Sequence, residues 1–114
     1  MINIYNDINK LEATFRQTAE FDTLKAAVEE VKNDSEALTL FQNFRKVQLN
    51  LQEKQAKGEQ IQEDELTYAG KTAQLAQQNS KIEKMLQAEM ALSGLIEEVN
   101  SILIKPVQEL YAEI

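Results

Sequence analysis

Four carboxylates, Glu59, Glu63, Asp64 and Glu65, stand within one short stretch of this 114-residue chain, and clustered carboxylates are the ligands a hard cation takes. Their order does not suit that role. A calcium loop alternates its acidic ligands about a turn glycine, whereas Glu63, Asp64 and Glu65 are consecutive and no glycine lies among the four. Consecutive acids fit the start of a helix, where the backbone dipole favours negative charge. A second group, Phe41, Phe44, Arg45 and Lys46, interleaves rings with cations in the manner of a single-strand nucleic-acid platform. Both rings fall on the apolar stripe of a long helical pattern, so core residues beside solvated cations is the simpler reading.

Elsewhere the usual reagents of enzymes are missing. The chain has no His, Cys or Trp. Without histidine the Glu-x-x-His pairs of a dimetal bundle site cannot form, and neither a phosphate-cradling glycine loop nor a serine with an activating base is present. The reading is therefore a non-enzyme with no cofactor and no metal. Twelve Lys and Arg against nineteen Asp and Glu leave a net charge of −7, which repels phosphates and anionic lipid over most of the surface. Direct RNA contact through Arg45 and Lys46, aided by Lys54 and Lys57, is the alternative to a pure protein-binding role, and the charge argues against it. The absence of cysteine fits a reducing compartment, and neither a leader nor an apolar span of membrane length is visible, so the expected location is cytoplasmic.

The elements that position these residues are helices. Ile4, Ile8, Leu11 and Phe15 recur at helical spacing over residues 4–17. Thr18 can cap a second helix carrying Phe21, Leu24, Val28 and Val31 up to Lys32. After the break at Asn33-Asp34-Ser35 a third helix runs to Lys57, ahead of Gly58, with Ala37, Leu40, Phe41, Phe44, Val47 and Leu51 as its stripe and Leu38 and Leu49 on a sparser face. At roughly 33 Å it is long for a small globule. Residues 58–62 read as the reversal of a helical hairpin, and the return arm carries a seam of Leu66, Ala69, Ala73 and Ala76, with Gly70 beside it to admit close approach. Ser80-x-x-Glu83 has the form of a capping box, so the fourth and fifth helices either separate or kink there. The fifth carries Ile82, Met85, Leu86, Leu92, Ile96, Val99 and Leu103, with Leu95 and Ile102 widening the stripe and Glu89 interrupting the seam, and Pro106 predicts an end or kink near Lys105, with Val107, Leu110 and Tyr111 as a short docked tail.

These patterns predict one all-α domain over residues 1–114, an elongated bundle of four to five helices with a long antiparallel hairpin. Its thin core predicts self-association as a homodimer or higher homo-oligomer, since a half-bare apolar seam costs about 25 cal/mol per Å2. The predicted contact residues are Phe41, Phe44, Gln48 and Leu51 of the third helix with Ile96, Val99 and Leu103 of the fifth.

Three segments carry a resemblance over essentially the whole chain: Phe41-Gln42-Asn43-Phe44-Arg45-Lys46-Val47-Gln48, Gln55-Ala56-Lys57-Gly58, and Lys105-Pro106-Val107-Gln108-Glu109-Leu110-Tyr111. The chain resembles the YlbF/YmcA family of small helical proteins from Gram-positive bacteria, and within it the YheA-like branch. That resemblance implies an all-helical fold, association with itself or a paralogue, and a cytoplasmic regulatory role without catalysis. Better-known members look like adaptors in a complex that influences the mRNA-cleaving ribonuclease Y. The cysteine-held iron–sulfur clusters associated with such complexes do not carry over, because this chain has no cysteine. What the resemblance and the patterning jointly imply is a helix-mediated adaptor with a protein partner, no membrane and no direct nucleic acid.

Overall fold

The structure, a computed structural model, describes residues 2–114. All regular structure among them is helical: α1 (Ile4–Phe15), α2 (Ala19–Lys32), α3 (Ser35–Ala56), α4 (Glu63–Gln78) and α5 (Ser80–Ala112). They fall into two compact units, Ala26–Leu86 and one formed by the two ends of the chain, up to Lys25 and from Gln87 onward.

In the Ala26–Leu86 unit, α3 and α4 form the antiparallel hairpin that the sequence predicts, and its ends are set by local chemistry. Asp34 caps α3, its Oδ1 accepting from the backbone N–H of Glu36 and of Ala37, each at 3.1 Å. Gly58 ends the arm at φ 72, left-handed backbone that a side chain would strain. Glu65, in the first turn of α4, accepts from the backbone N–H of Gln62 at 3.4 Å and pairs with Lys54 across the turn. At the other end of the hairpin Lys81 Nζ donates to Asp34 at 2.9 Å, and beyond it Lys84 meets Glu30 at 3.5 Å. Thus residues 54, 34 and 30 on one arm meet 65, 81 and 84 on the other, a single antiparallel register that carries on past both helix breaks.

The interior of this unit is small-sided. Ala27, Val31, Ala37, Thr72, Ala76, Ile82 and Met85 are its buried residues, and Thr72 meets its own hydrogen-bonding need by donating to the carbonyl of Ala69 at 2.9 Å. Alanines facing each other let helix axes come closer than leucines would. The seam differs by one step from its sequence reading. Glu65, Ala69, Thr72 and Ala76 face inward, whereas Leu66 is 54% exposed, because a spacing of four, three and four from Ala76 lands on Glu65. Gly70 is exposed, and a Cβ there would meet nothing within 4 Å, so the close approach rests on alanine and not on glycine.

The junction of α4 and α5 is a true break. Its cap is Asn79 rather than Ser80: the Asn79 Oδ1 accepts from the N–H of Lys81 at 3.1 Å and of Ile82 at 3.2 Å. Pro106, by contrast, does not end α5, which continues to Ala112. Proline withholds the hydrogen bond to the carbonyl four residues back and crowds it, and that residue, Ile102, is 69% exposed, so the carbonyl can tilt outward and be satisfied by water.

In the unit of the chain ends, Phe15 and Phe21 pack edge to face with centroids 5.9 Å apart, joining α1 to α2. Between them Thr18 Oγ1 donates to the carbonyl of Phe15 at 2.8 Å and accepts from the N–H of Phe21 at 3.2 Å, the cap predicted for α2. Ala88 and Leu92 of α5 are buried, so the inward stripe passes through Ala88 and leaves Glu89 in solvent.

The hydrogen bond from Lys81 holds the Asp34 carboxyl below the usual aspartate range, helped by the backbone N–H of Ala37. Asp34 is thus more acidic folded than unfolded, so its stabilising contribution is complete above about pH 4 and is lost as pH falls through the lower folded value. Asp34→Asn keeps a capping oxygen but cannot titrate. The variant is expected to lose less stability than the parent between mild and strong acid, as urea titrations at several pH values will show.

Candidate functional site

The seven predicted contact residues divide between the two units. Phe41 and Phe44 are half-buried with ring centroids 6.3 Å apart, and Leu51 is half-buried on the same helix, while Gln48 is exposed. The three apolar side chains are thus largely taken up by the hairpin unit itself. Ile96, Val99 and Leu103 lie in the other unit, where Val99 is half-buried, Ile96 is exposed and Leu103 is 63% exposed.

Of the acidic group at the hairpin tip, Glu65 is engaged locally. Lys54 holds the Glu65 carboxylate below its ordinary range, and the pairing raises the Lys54 ammonium. Among the described residues no group of three or more acidic side chains is placed to hold a metal ion. Of the four cations considered for RNA, Lys54 is paired with Glu65 and Lys57 with Glu53 at 3.0 Å, which leaves Arg45 and Lys46 as adjacent exposed charges. An open depression of about 680 Å3 beside the tip, lined by Asn43, Val47, Asn50, Leu51, Glu65 and Tyr68, holds no nucleophile with a base to activate it. No helix among the described residues is long and apolar enough to cross a membrane.

What stands out chemically is bare apolar surface. Large bare apolar side chains are concentrated at the chain ends. α1 has no buried residue, with Ile4, Ile8 and Leu11 about half exposed. From Asn100 to Ile114 every residue is exposed, including Leu103, Val107, Leu110 and Tyr111. The tail of Val107, Leu110 and Tyr111 that the sequence predicts to dock is thus bare, because periodicity marks positions as apolar without showing what covers them. The three tyrosines, Tyr5, Tyr68 and Tyr111, are all more than half exposed, in keeping with amphipathic edges rather than reactive groups. The methionines divide, Met85 being buried and Met90 74% exposed.

The chain is similar to several bacterial proteins. The sequence pattern of the family described as Control of competence regulator ComK, YlbF/YmcA, matches residues 4–108. A UPF0342 protein of Lysinibacillus sphaericus is 66% identical over 100% of this chain and 99% of its own, and the UPF0342 protein YheA of Bacillus subtilis is 44% identical over 99% and 97%. Among solved structures, a protein of unknown function (DUF964) from Bacillus stearothermophilus superposes with a TM-score of 0.87 at 39% identity, covering 95% of both chains. The yheA structure from Bacillus subtilis gives a TM-score of 0.75 at 37% identity, covering 96% of this chain and 100% of that one. With its length and all five helices accounted for in this way, the chain belongs to the YlbF/YmcA family, in its YheA-like branch.

Proposed function

We propose that this protein is a non-enzymatic regulatory adaptor of the cytoplasm that works by helix-mediated self-association and protein binding. The observation that supports this reading is the run of bare apolar side chains along α1 and the end of α5, since a monomer seldom leaves more than about 300–600 Å2 in its largest such patch. Helical faces are the only equipment for binding that the chain offers in quantity. Its acidic character steers it toward protein or its own kind rather than toward phosphate backbones. The family's regulatory connection gives such an adaptor its setting.

Sedimentation velocity on the full chain tests the reading. The expected species at micromolar concentration is heavier than a single 13.0 kDa chain. A lone monomer across the micromolar range would overturn it.

A further inference from the structure

We infer that the C-terminal half of α5, together with α1, is the surface on which a second copy of this chain docks. The inference rests on the self-association reading and gives it a location. From Ile96 onward the helix exposes Ile96, Ile102, Leu103, Ile104, Val107 and Leu110, each by between 46% and 69%, and Tyr111, with Ile114 just past the helix end, still more. With a bare apolar side chain offering on the order of 150 Å2, this segment alone presents on the order of 800 Å2. That is what one partner contributes to a stable interface of standard size.

The breadth of the arc says how it is covered. At a helical turn of 3.6 residues these side chains spread over about 200° of the helix, twice the stripe that one neighbouring helix covers. The occupant must therefore bring more than one helical face. A second copy does so, because α1 has a bare stripe of its own in Ile4, Ile8 and Leu11 to go with its α5. The two ends of two chains then supply four amphipathic faces, enough to close a bundle.

The polar flank of the segment identifies what does not bind. Glu97, Glu98, Glu109 and Glu113 face a single base, Lys105, whereas a helix that lies on anionic lipid carries Lys and Arg there. Between two copies these acids repel, so salt should strengthen the contact by screening them. On the hairpin, by comparison, Leu66 stands on the opposite side of α4 from Tyr68 and Leu75, which line shallow depressions with Leu49 and Leu40 of α3.

The test uses the full chain with Leu103→Asp, Leu110→Asp and, as the hairpin control, Leu66→Asp. All three positions are more than half exposed, so each variant should keep its helical circular dichroism. The parent and Leu66→Asp are expected to sediment at twice 13.0 kDa or above, unchanged or more tightly associated at high salt, and each α5 variant as one chain. If both α5 variants associate like the parent, this location is wrong and the self-association reading survives. A monomeric parent sinks both. Weaker association of the parent at high salt would overturn this apolar contact, because opposite charges rather than the bare arc would then hold the two copies together. Release of the α5 variants from mixed neutral and anionic vesicles that bind the parent would overturn it in favour of lipid.

Discussion

Ile82→Ala is expected to destabilise the protein by about 3 kcal/mol, within the range for emptying a fully buried aliphatic site. Ile82 is the largest wholly buried side chain among the described residues. The other buried residues of the unit are mostly unable to refill the space: Ala27, Ala37 and Ala76 have no rotamers to move and Thr72 is tied to the carbonyl of Ala69, which leaves Val31 and the flexible Met85 to compensate in part. A cavity that cannot collapse forfeits packing as well as transfer energy. The position also lies just after Asn79, whose side chain accepts the Ile82 N–H, so the lost contacts adjoin the turn that starts α5. Urea unfolding should show a lower midpoint at unchanged slope, with Ile82→Val costing about 1 kcal/mol. A loss below 1 kcal/mol for the alanine variant would mean that the small-sided core is not what holds this unit together.

The three ion pairs give the hairpin unit direction rather than bulk stability. Small side chains pack almost equally well one helical turn up or down, since each alanine resembles the next. Lys54 with Glu65, Asp34 with Lys81 and Glu30 with Lys84 favour one of these alignments, and a one-turn slip would separate all three pairs. The pairs at the hairpin's two ends act over different ranges of pH. Asp34 and Glu65 are more acidic folded than unfolded and contribute above their unfolded values, near pH 4. Lys54 is raised by Glu65, and its contribution is complete below its unfolded value, near pH 10, and lost above it. Register is thus best specified across the neutral range.

The helices were legible because each boundary is written locally. Asp34 before Ser35, Gly58 after Lys57 and Thr18 before Ala19 act through their own backbone and nearest neighbours, and the structure puts caps or turns at all three. Positions that depend on a choice between adjacent residues were less legible. Asn79 and Ser80 are both capping types, and Ser80-x-x-Glu83 carries the more familiar pattern, yet the Asn79 side chain takes the N–H groups. Leu66 looked like the seam by type while Glu65 holds the inward position, because its carboxylate has Lys54 to meet. Pro106 looked like a terminus, but a proline on a bare face costs a helix less than one in a core. The site was legible only as apolar periodicity. Phe44 and Leu103 carry the same spacing signal, but one is half-buried by its own unit and the other is bare, and that difference is tertiary.

Gly70→Ala and Gly94→Ala together are expected to stabilise the protein by up to about 2 kcal/mol. Both glycines lie inside helices, where glycine costs about 0.5–1 kcal/mol relative to alanine through lost chain entropy. Neither has a positive φ, and a Cβ at either position meets nothing within 4 Å, so alanine brings no strain and no clash. The gain comes mostly from restricting the unfolded chain, so it should add between the two sites. Thermal unfolding at fixed protein concentration should show the midpoint rising by several degrees in the double variant. Gly94 supplies a further control on the docking surface, because it sits on the polar side of α5, away from the arc of Leu103 and Leu110. Gly94→Ala should therefore leave the sedimenting mass unchanged while it raises the midpoint. A variant that is stabilised but dissociated would show that the polar side of α5, and not its apolar arc, meets the second chain.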